Sequence, residues 1–266
     1  MSRNSVCFPA AGTAAENDIP AISFCNVEKK YKINRLFGTA ELTAFKDLSF
    51  DIMKGETAGL LGLNGAGKTT IMKLIAGLIF CNEGKVEIFG KSPLKPEAKS
   101  LIGFLPELPY FPPNEKPLNV LKYYGKLSGL KEPYLSARAN EALEITGLKP
   151  NQEKKIGQFS KGMLQRLGLA QALMHKPKIL ILDEPVSGLD PIAIRDFRNI
   201  LSAEAANGTT ILLSSHSISE VEKICGRVLI MKNGRLARTV QKEDWEKDGG
   251  LEEIFINEVS DKGREK

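Results

Sequence analysis

No apolar run in this chain approaches the roughly 18 residues a membrane-spanning helix requires, and its start has neither the basic opening nor the apolar stretch of a signal peptide. A role at a membrane would therefore need an anchor on another polypeptide. Cysteine is sparse: Cys7, Cys25, Cys81 and Cys225 lie far apart with no C-x-x-C pair, which argues against a zinc site and a disulfide framework. Cys25, Cys81 and Cys225 fall in or beside apolar segments and read as free, core-type thiols in a reducing cytosol. Concentrated positive charge is also missing. The formal net charge is +5, but the basic residues are spread out, without the clustered footprint of a nucleic-acid binder. There is no internal repeat. What remains is 266 residues with 42% hydrophobic and 26% charged side chains, a soluble globular composition long enough for one large domain or a domain with a subdomain.

The most informative stretch is Gly62-Leu63-Asn64-Gly65-Ala66-Gly67-Lys68-Thr69, which fits G-x-x-x-x-G-K-[ST] at every fixed position. It follows an apolar strand over Thr57 to Leu61 and precedes an amphipathic helix over Lys68 to Leu78, which also contains Thr70. Glycines let successive backbone N–H groups converge on one point, making a socket for anionic oxygen at a helix N-terminus. Lys68 adds a full positive charge, and the Thr69 hydroxyl faces the position where Mg²⁺ would bridge terminal phosphates. A bare match arises by chance in roughly one chain of this size in a hundred, and the flanking strand and helix lower that figure further.

Around this loop the pattern alternates. Strands are expected over Ala21 to Tyr31 and Thr43 to Ile52, joined by an irregular segment from Lys32 to Leu42, and then over Lys85 to Phe89 and Ser100 to Leu105. Pro106 to Lys116 holds too many prolines for a helix or central strand and reads as a loop carrying the exposed aromatics Tyr110 and Phe111. Leu118 to Leu130 and Tyr134 to Thr146 turn to helical spacing, and consecutive helices without a strand imply an inserted helical subdomain. A helix follows Ser160 as its N-cap, then a buried parallel strand over Lys178 to Leu182. A helix over Ile192 to Ala205, a strand over Thr209 to Leu213, a helix over Ser219 to Cys225 and a hairpin turned at Asn233-Gly234 complete the order. The expected organisation is a disordered leader over 1–19, a main domain over 20–240 with its helical subdomain at about 107–175, and a short charged tail over 241–266.

A P-loop binds a nucleotide without by itself hydrolysing it. Leu180-Ile181-Leu182-Asp183-Glu184 supplies what hydrolysis needs: an interior strand delivers Asp183 at its carboxyl end, where open α/β sheets hold ligands and an aspartate can orient Mg²⁺. Glu184 follows directly, placed to polarise a water as general base. His216 emerges after the strand over Thr209 to Leu213, whereas His175, just before Pro177, reads as an ordinary loop residue.

In order and spacing, the P-loop, Ser160-Lys161-Gly162-Met163 before Leu164-Gln165-Arg166, Leu182-Asp183-Glu184-Pro185, Ser187-Gly188-Leu189-Asp190 and His216 resemble the nucleotide-binding subunit of an ABC transporter. The resemblance runs from about Pro20 to Val240. It implies an α/β P-loop NTPase fold, a RecA-like core with an antiparallel β subdomain and an inserted α-helical subdomain. It also implies ATP hydrolysis with Mg²⁺ between two subunits closed head to tail, each ATP lying between the P-loop of one and the signature segment of the other. On that pattern Ser160 and Gly162 contact the partner's γ-phosphate, Glu184 is the base, His216 the γ-phosphate sensor, Asp190 part of the loop communicating across the dimer, and Tyr31 the aromatic against adenine.

Two departures stand out. Phe159-Ser160-Lys161-Gly162-Met163 replaces the family's usual Leu-Ser-Gly-Gly-Gln and is similar to the variant of type 2 exporters, and Glu107 stands where a Mg²⁺-contacting glutamine is usual. Thr69, Glu107 and Asp183 are thus the expected metal contacts. The expected role is the ATPase subunit of a membrane exporter, peripheral on the cytoplasmic face and paired with a second copy or a homologous subunit and with a separate permease. An importer ATPase and a soluble ABC protein acting on nucleic acid or ribosomes are the competing readings; the scattered basic residues and single P-loop weigh against the latter.

Overall fold

A computed structural model describes residues 19–35, 38–247 and 249–260. The expected leader lies almost wholly outside them. The chain divides into two compact units, one built from the chain up to Lys99 and from Ser214 onward, the other from Ser100–Leu213. Among the described residues no helix is long and apolar enough to cross a membrane.

The first unit opens with β1 (Ile22–Arg35) and β2 (Gly38–Ile52), paired antiparallel from Ile22 opposite Ile52 to Arg35 opposite Gly38. The described residues of the segment from Lys32 to Leu42, expected to be irregular, instead extend this pairing, with Lys32 opposite Glu41 and Tyr31 opposite Leu42. Register shifts between Phe24 and Lys30 precede it, but from Lys30 to Arg35 the pairing is regular, so it is the partner strand rather than an apolar alternation of its own that makes this stretch a strand. β3 (Thr57–Gly62) leads into α1 (Lys68–Ile75), and β4 (Glu83–Ile88) returns antiparallel to β1. The short helix α2 (Pro96–Lys99), absent from the sequence reading, closes this part.

β3 is apolar on both faces because it is a central parallel strand, beside β8 (Arg227–Lys232), which turns at Asn233-Gly234 into the antiparallel β9 (Arg235–Gln241). Both turn residues have positive φ, 48° and 72°, as this hairpin type demands. Arg227 fixes the start of β3 by a forked pair to Glu56, Nε to Oε1 at 2.5 Å and Nη2 to Oε2 at 2.9 Å. Cys25 is disulfide-bonded, against the expectation of a free thiol. Distance along the chain had argued against a bridge, but approach in space decides one. Cys81 and Cys225 are free, and burial pushes the Cys225 thiol far up.

In the second unit β5 (Ile102–Leu105) runs parallel to β6 (Ile179–Asp183), with β7 (Thr210–Ser215) on the other side of β6. Between them come α3 (Pro117–Leu127), α4 (Tyr134–Ile145) and α5 (Lys161–Leu173), and after β6 comes α6 (Pro191–Ala206). The three helices share an apolar core that includes Leu121, Leu135, Leu143, Leu167 and Met174. Phe111 belongs to it too, edge-on to Tyr124 at 6.2 Å. The expected pair of exposed aromatics is therefore corrected: Phe111 is 6% exposed, while Tyr110 at 83% and Leu108 at 73% face solvent. Adjacent residues of an extended loop point opposite ways, so only one of two neighbours could reach the core. In the first unit α7 (Ile218–Ile224), α8 (Lys242–Lys247) and α9 (Leu251–Val259) complete the elements of the described residues.

Candidate functional site

The loop Gly62 to Thr69 leaves a central strand and turns sharply into a helix. Gly67, the residue before α1, has φ 101°, and a β-carbon there would lie 3.2 Å from Phe45 Cδ1. At Gly62 a β-carbon would meet the Met231 carbonyl at 2.7 Å, so the approach of β8 requires glycine. α1 has no side-chain cap and no acidic residue in its first turn. Its leading N–H groups and the positive end of its dipole are thus directed at the loop. The Lys68 side chain folds back over the loop, 7% exposed, with Nζ donating to the Gly62 carbonyl at 2.6 Å and reaching the Leu63 carbonyl at 3.4 Å. Leu63, Asn64 and Gly65 are exposed and Ala66 is buried.

Tyr31 lies in the same unit. Its hydroxyl is 3.3 Å from Thr70 Oγ1, and the Lys29 ammonium stands 5.0 Å from its ring centroid. Sequence reasoning did not single out Lys29; its spacing of two along β1, on the same face as Tyr31, was the available signal. His216 follows the end of β7 and is exposed, again in the first unit.

The second unit holds the other expected residues. Asp183 closes β6 and is 3% exposed; Glu184 follows with φ 47°, left-handed backbone that a non-glycine residue adopts only at a cost. Ser160 caps α5, its Oγ accepting from Met163 N at 3.3 Å, and Asp190 caps α6, its Oδ1 accepting from Ile192 N at 3.0 Å and Ala193 N at 2.9 Å. The two capped ends lie together: a β-carbon on Gly162 would be 3.8 Å from Leu189 and 3.9 Å from Ala193, and the Lys161 ammonium lies over Gly188. Arg166 joins them further along, bonded to Asp196 of α6 at 2.7 Å and to the Thr146 carbonyl at 3.2 Å. Glu107 is exposed, and its carbonyl accepts from the buried Gln165. Gln165 and Arg166 stand in the run that follows the signature segment in sequence, but sequence reasoning assigned neither of them a role; polar residues set among the buried apolar residues of a helix are the available signal.

Among the described residues there is no cluster of three His, Cys, Asp or Glu side chains suited to a metal. The expected donors Thr69, Asp183 and Glu107 offer only hard oxygen, which suits Mg²⁺ where phosphate oxygens complete the shell.

Residues 45–187 match the family model described as ABC transporter. The chain is 42% identical over 194 residues to an uncharacterized ABC transporter ATP-binding protein, YxlF, of Bacillus subtilis, covering 73% of this chain and 64% of that one. It is 41% identical over 204 residues to the bacitracin transport ATP-binding protein BcrA of Enterococcus faecalis, covering 75% and 65%. The match thus spans slightly under two thirds of each relative. A solved structure described as the ATP-binding subunit of an ABC transporter superposes with a TM-score of 0.77 at 26% identity, covering 90% of this chain and 99% of that one. This likeness identifies the fold as the P-loop NTPase fold of ABC cassettes.

Proposed function

This chain belongs to the ABC transporter family, and from that premise we propose that it is the ATP-binding and ATP-hydrolysing subunit of an exporter. It energises a separate transmembrane subunit through ATP-driven head-to-tail dimerisation. The observation that carries the reading is the P-loop, where an uncapped helix start and the buried Lys68 ammonium converge on one short loop. That is a receptor for the phosphates of a nucleotide, with Gly62 to Thr70 as its wall.

Hydrolysis transfers the γ-phosphoryl group to water: the bond between the β,γ-bridging oxygen and γ-phosphorus breaks as the water oxygen bonds to phosphorus, releasing ADP and inorganic phosphate. Glu184 takes the proton from that water, and His216 contacts the γ-phosphate. Thr69, Asp183 and Glu107 are the residues that would hold Mg²⁺, which supplies charge neutralisation on the phosphates when bound. Lys68 holds the phosphates throughout. Tyr31, tied to Thr70 through its hydroxyl, offers a ring face to the adenine.

Ser160, Gly162 and the α5 amides behind them receive the γ-phosphate of a second copy, and the Asp190 loop faces that copy alongside them. What supports this is their proximity within one unit, at a helix start whose dipole favours an anion. The segment Phe159 to Met163, similar to the variant of type 2 exporters, favours export over import. The exposed Leu108 and Tyr110 suit docking of the membrane subunit, which would hold the chain at the cytoplasmic face of the membrane.

Light scattering of the Glu184→Gln variant with MgATP tests the reading. Without its base the chain should hold ATP and shift from monomer to dimer mass, while the unmodified chain turns ATP over. A variant that remains monomeric at saturating MgATP, beside a parent that hydrolyses efficiently as a monomer, would sink the dimer mechanism.

A further inference from the structure

α5 is fastened to the loop after β5 at two places. Gln165, 1% exposed, donates from Nε2 to the Glu107 carbonyl at 2.6 Å. One helical turn on, a β-carbon at Gly168 would lie 2.5 Å from Leu105 Cδ1 and 3.1 Å from Pro109 Cβ, so the loop is seated directly on the helix backbone. The loop segment between those contacts carries Glu107 and Leu108, and Tyr110 follows. The same helix begins at Ser160 and Gly162. The Gln165 Oε1 is buried and has no hydrogen-bond partner among the described residues, so the amide is retained at a cost that packing alone does not explain.

We infer that Gln165 is a positioning residue that makes the signature helix and the Glu107–Tyr110 loop one moving body. Nucleotide engaged at Ser160 is then felt at the exposed Leu108 and Tyr110, and a partner bound there acts back on Ser160. The donated hydrogen bond is the part of the joint that a substitution can remove cleanly. Gln165→Leu keeps about the same volume and deletes both the donor and the orphaned acceptor, while the Glu107 carbonyl, part-buried on an otherwise exposed residue, can turn to water. The inference rests on the preceding reading that α5 receives nucleotide.

The test is amide hydrogen exchange on the full chain carrying Glu184→Gln, with and without saturating MgATP, followed at two segments. These are the start of α5 (Lys161 to Leu164) and the loop amides of Glu107, Leu108, Tyr110 and Phe111. With Gln165 present, MgATP should slow exchange about tenfold at both. With Gln165→Leu the helix start should still slow and the loop should lose its response. Simple loosening would instead speed loop exchange equally with and without nucleotide.

A loop that responds to MgATP as strongly in Gln165→Leu as in the parent overturns the inference, as does equal loosening in both conditions. A parent whose helix start responds while its loop does not also overturns it and leaves the nucleotide reading standing. A parent in which neither segment responds sinks the nucleotide reading and this inference with it. Should the leucine variant fail to fold, Gln165→Met, unbranched and equally long, takes the same measurement.

Discussion

His175 illustrates how a residue that reads as ordinary in sequence becomes consequential through burial. Its Nε2 lies 3.0 Å from the Ile102 carbonyl, and desolvation, with Arg138 adding to it, holds its pKa below the ordinary 6.5, the Ile102 bond opposing in part. The unfolded chain therefore binds a proton that the folded chain resists. This contribution to stability is fully present above 6.5 and is lost as the pH falls from there towards the lower folded value. Urea titrations at pH 7.5 and 5.5 should show a lower midpoint at the acid end, and His175→Gln should reduce that difference. Equal pH dependence in both proteins would remove His175 from the balance. Glu184 is the other residue whose backbone matters: at φ 47° it occupies a conformation that costs of order 1 kcal/mol or more in a non-glycine residue. That setting was invisible in the sequence, which offered only an acidic residue after an apolar strand.

At the level of elements, Ser160 and Asp190 each carry two explanations that a single substitution can separate. Both side chains cap a helix, and loss of such a cap costs about 1 kcal/mol. Aspartate caps as well as serine, so Ser160→Asp should leave the thermal midpoint nearly unchanged while placing a carboxylate where a phosphate is expected. ATPase activity should then fall by about two orders of magnitude or more, the scale of one lost anion contact at a reaction centre. Activity that survives with stability would make Ser160 a cap and nothing else.

The elements differ in how plainly the sequence announces them. β3 with its P-loop, β6 and the Asn233-Gly234 hairpin are legible because each is a local pattern: an apolar run, a glycine spacing, a turn dipeptide. The extension of β1 beyond Tyr31 is not, since pairing with β2, in regular register from Lys30 to Arg35, decides the outcome rather than the residues' own pattern. Phe111 shows the same limit, because its burial depends on Tyr124 and the helical core rather than on its neighbours. The candidate site is drawn from residue types that the sequence displays; the contacts that Gln165 and Arg166 make between separate elements are not displayed there.

For the whole molecule the decisive fact is that the P-loop and the signature segment belong to different compact units of one chain. In a head-to-tail dimer each catalytic site takes its P-loop from one copy and its signature from the other, so two differently damaged chains should complement. Lys68→Ala removes the phosphate-binding ammonium but leaves Ser160 intact; Ser160→Asp does the reverse. Each alone should be inactive, because both composite sites of either homodimer carry a lesion. In a mixture, a mixed dimer has one site with both lesions and one with neither. Random pairing then predicts that equal amounts recover roughly a quarter of the unmodified activity, as heterologous sharing of sites requires. Steady-state phosphate release from the two variants, separately and mixed at concentrations where dimers form, makes the measurement. If each chain instead completed its site with its own signature segment, no mixing ratio would exceed the sum of the two separate rates.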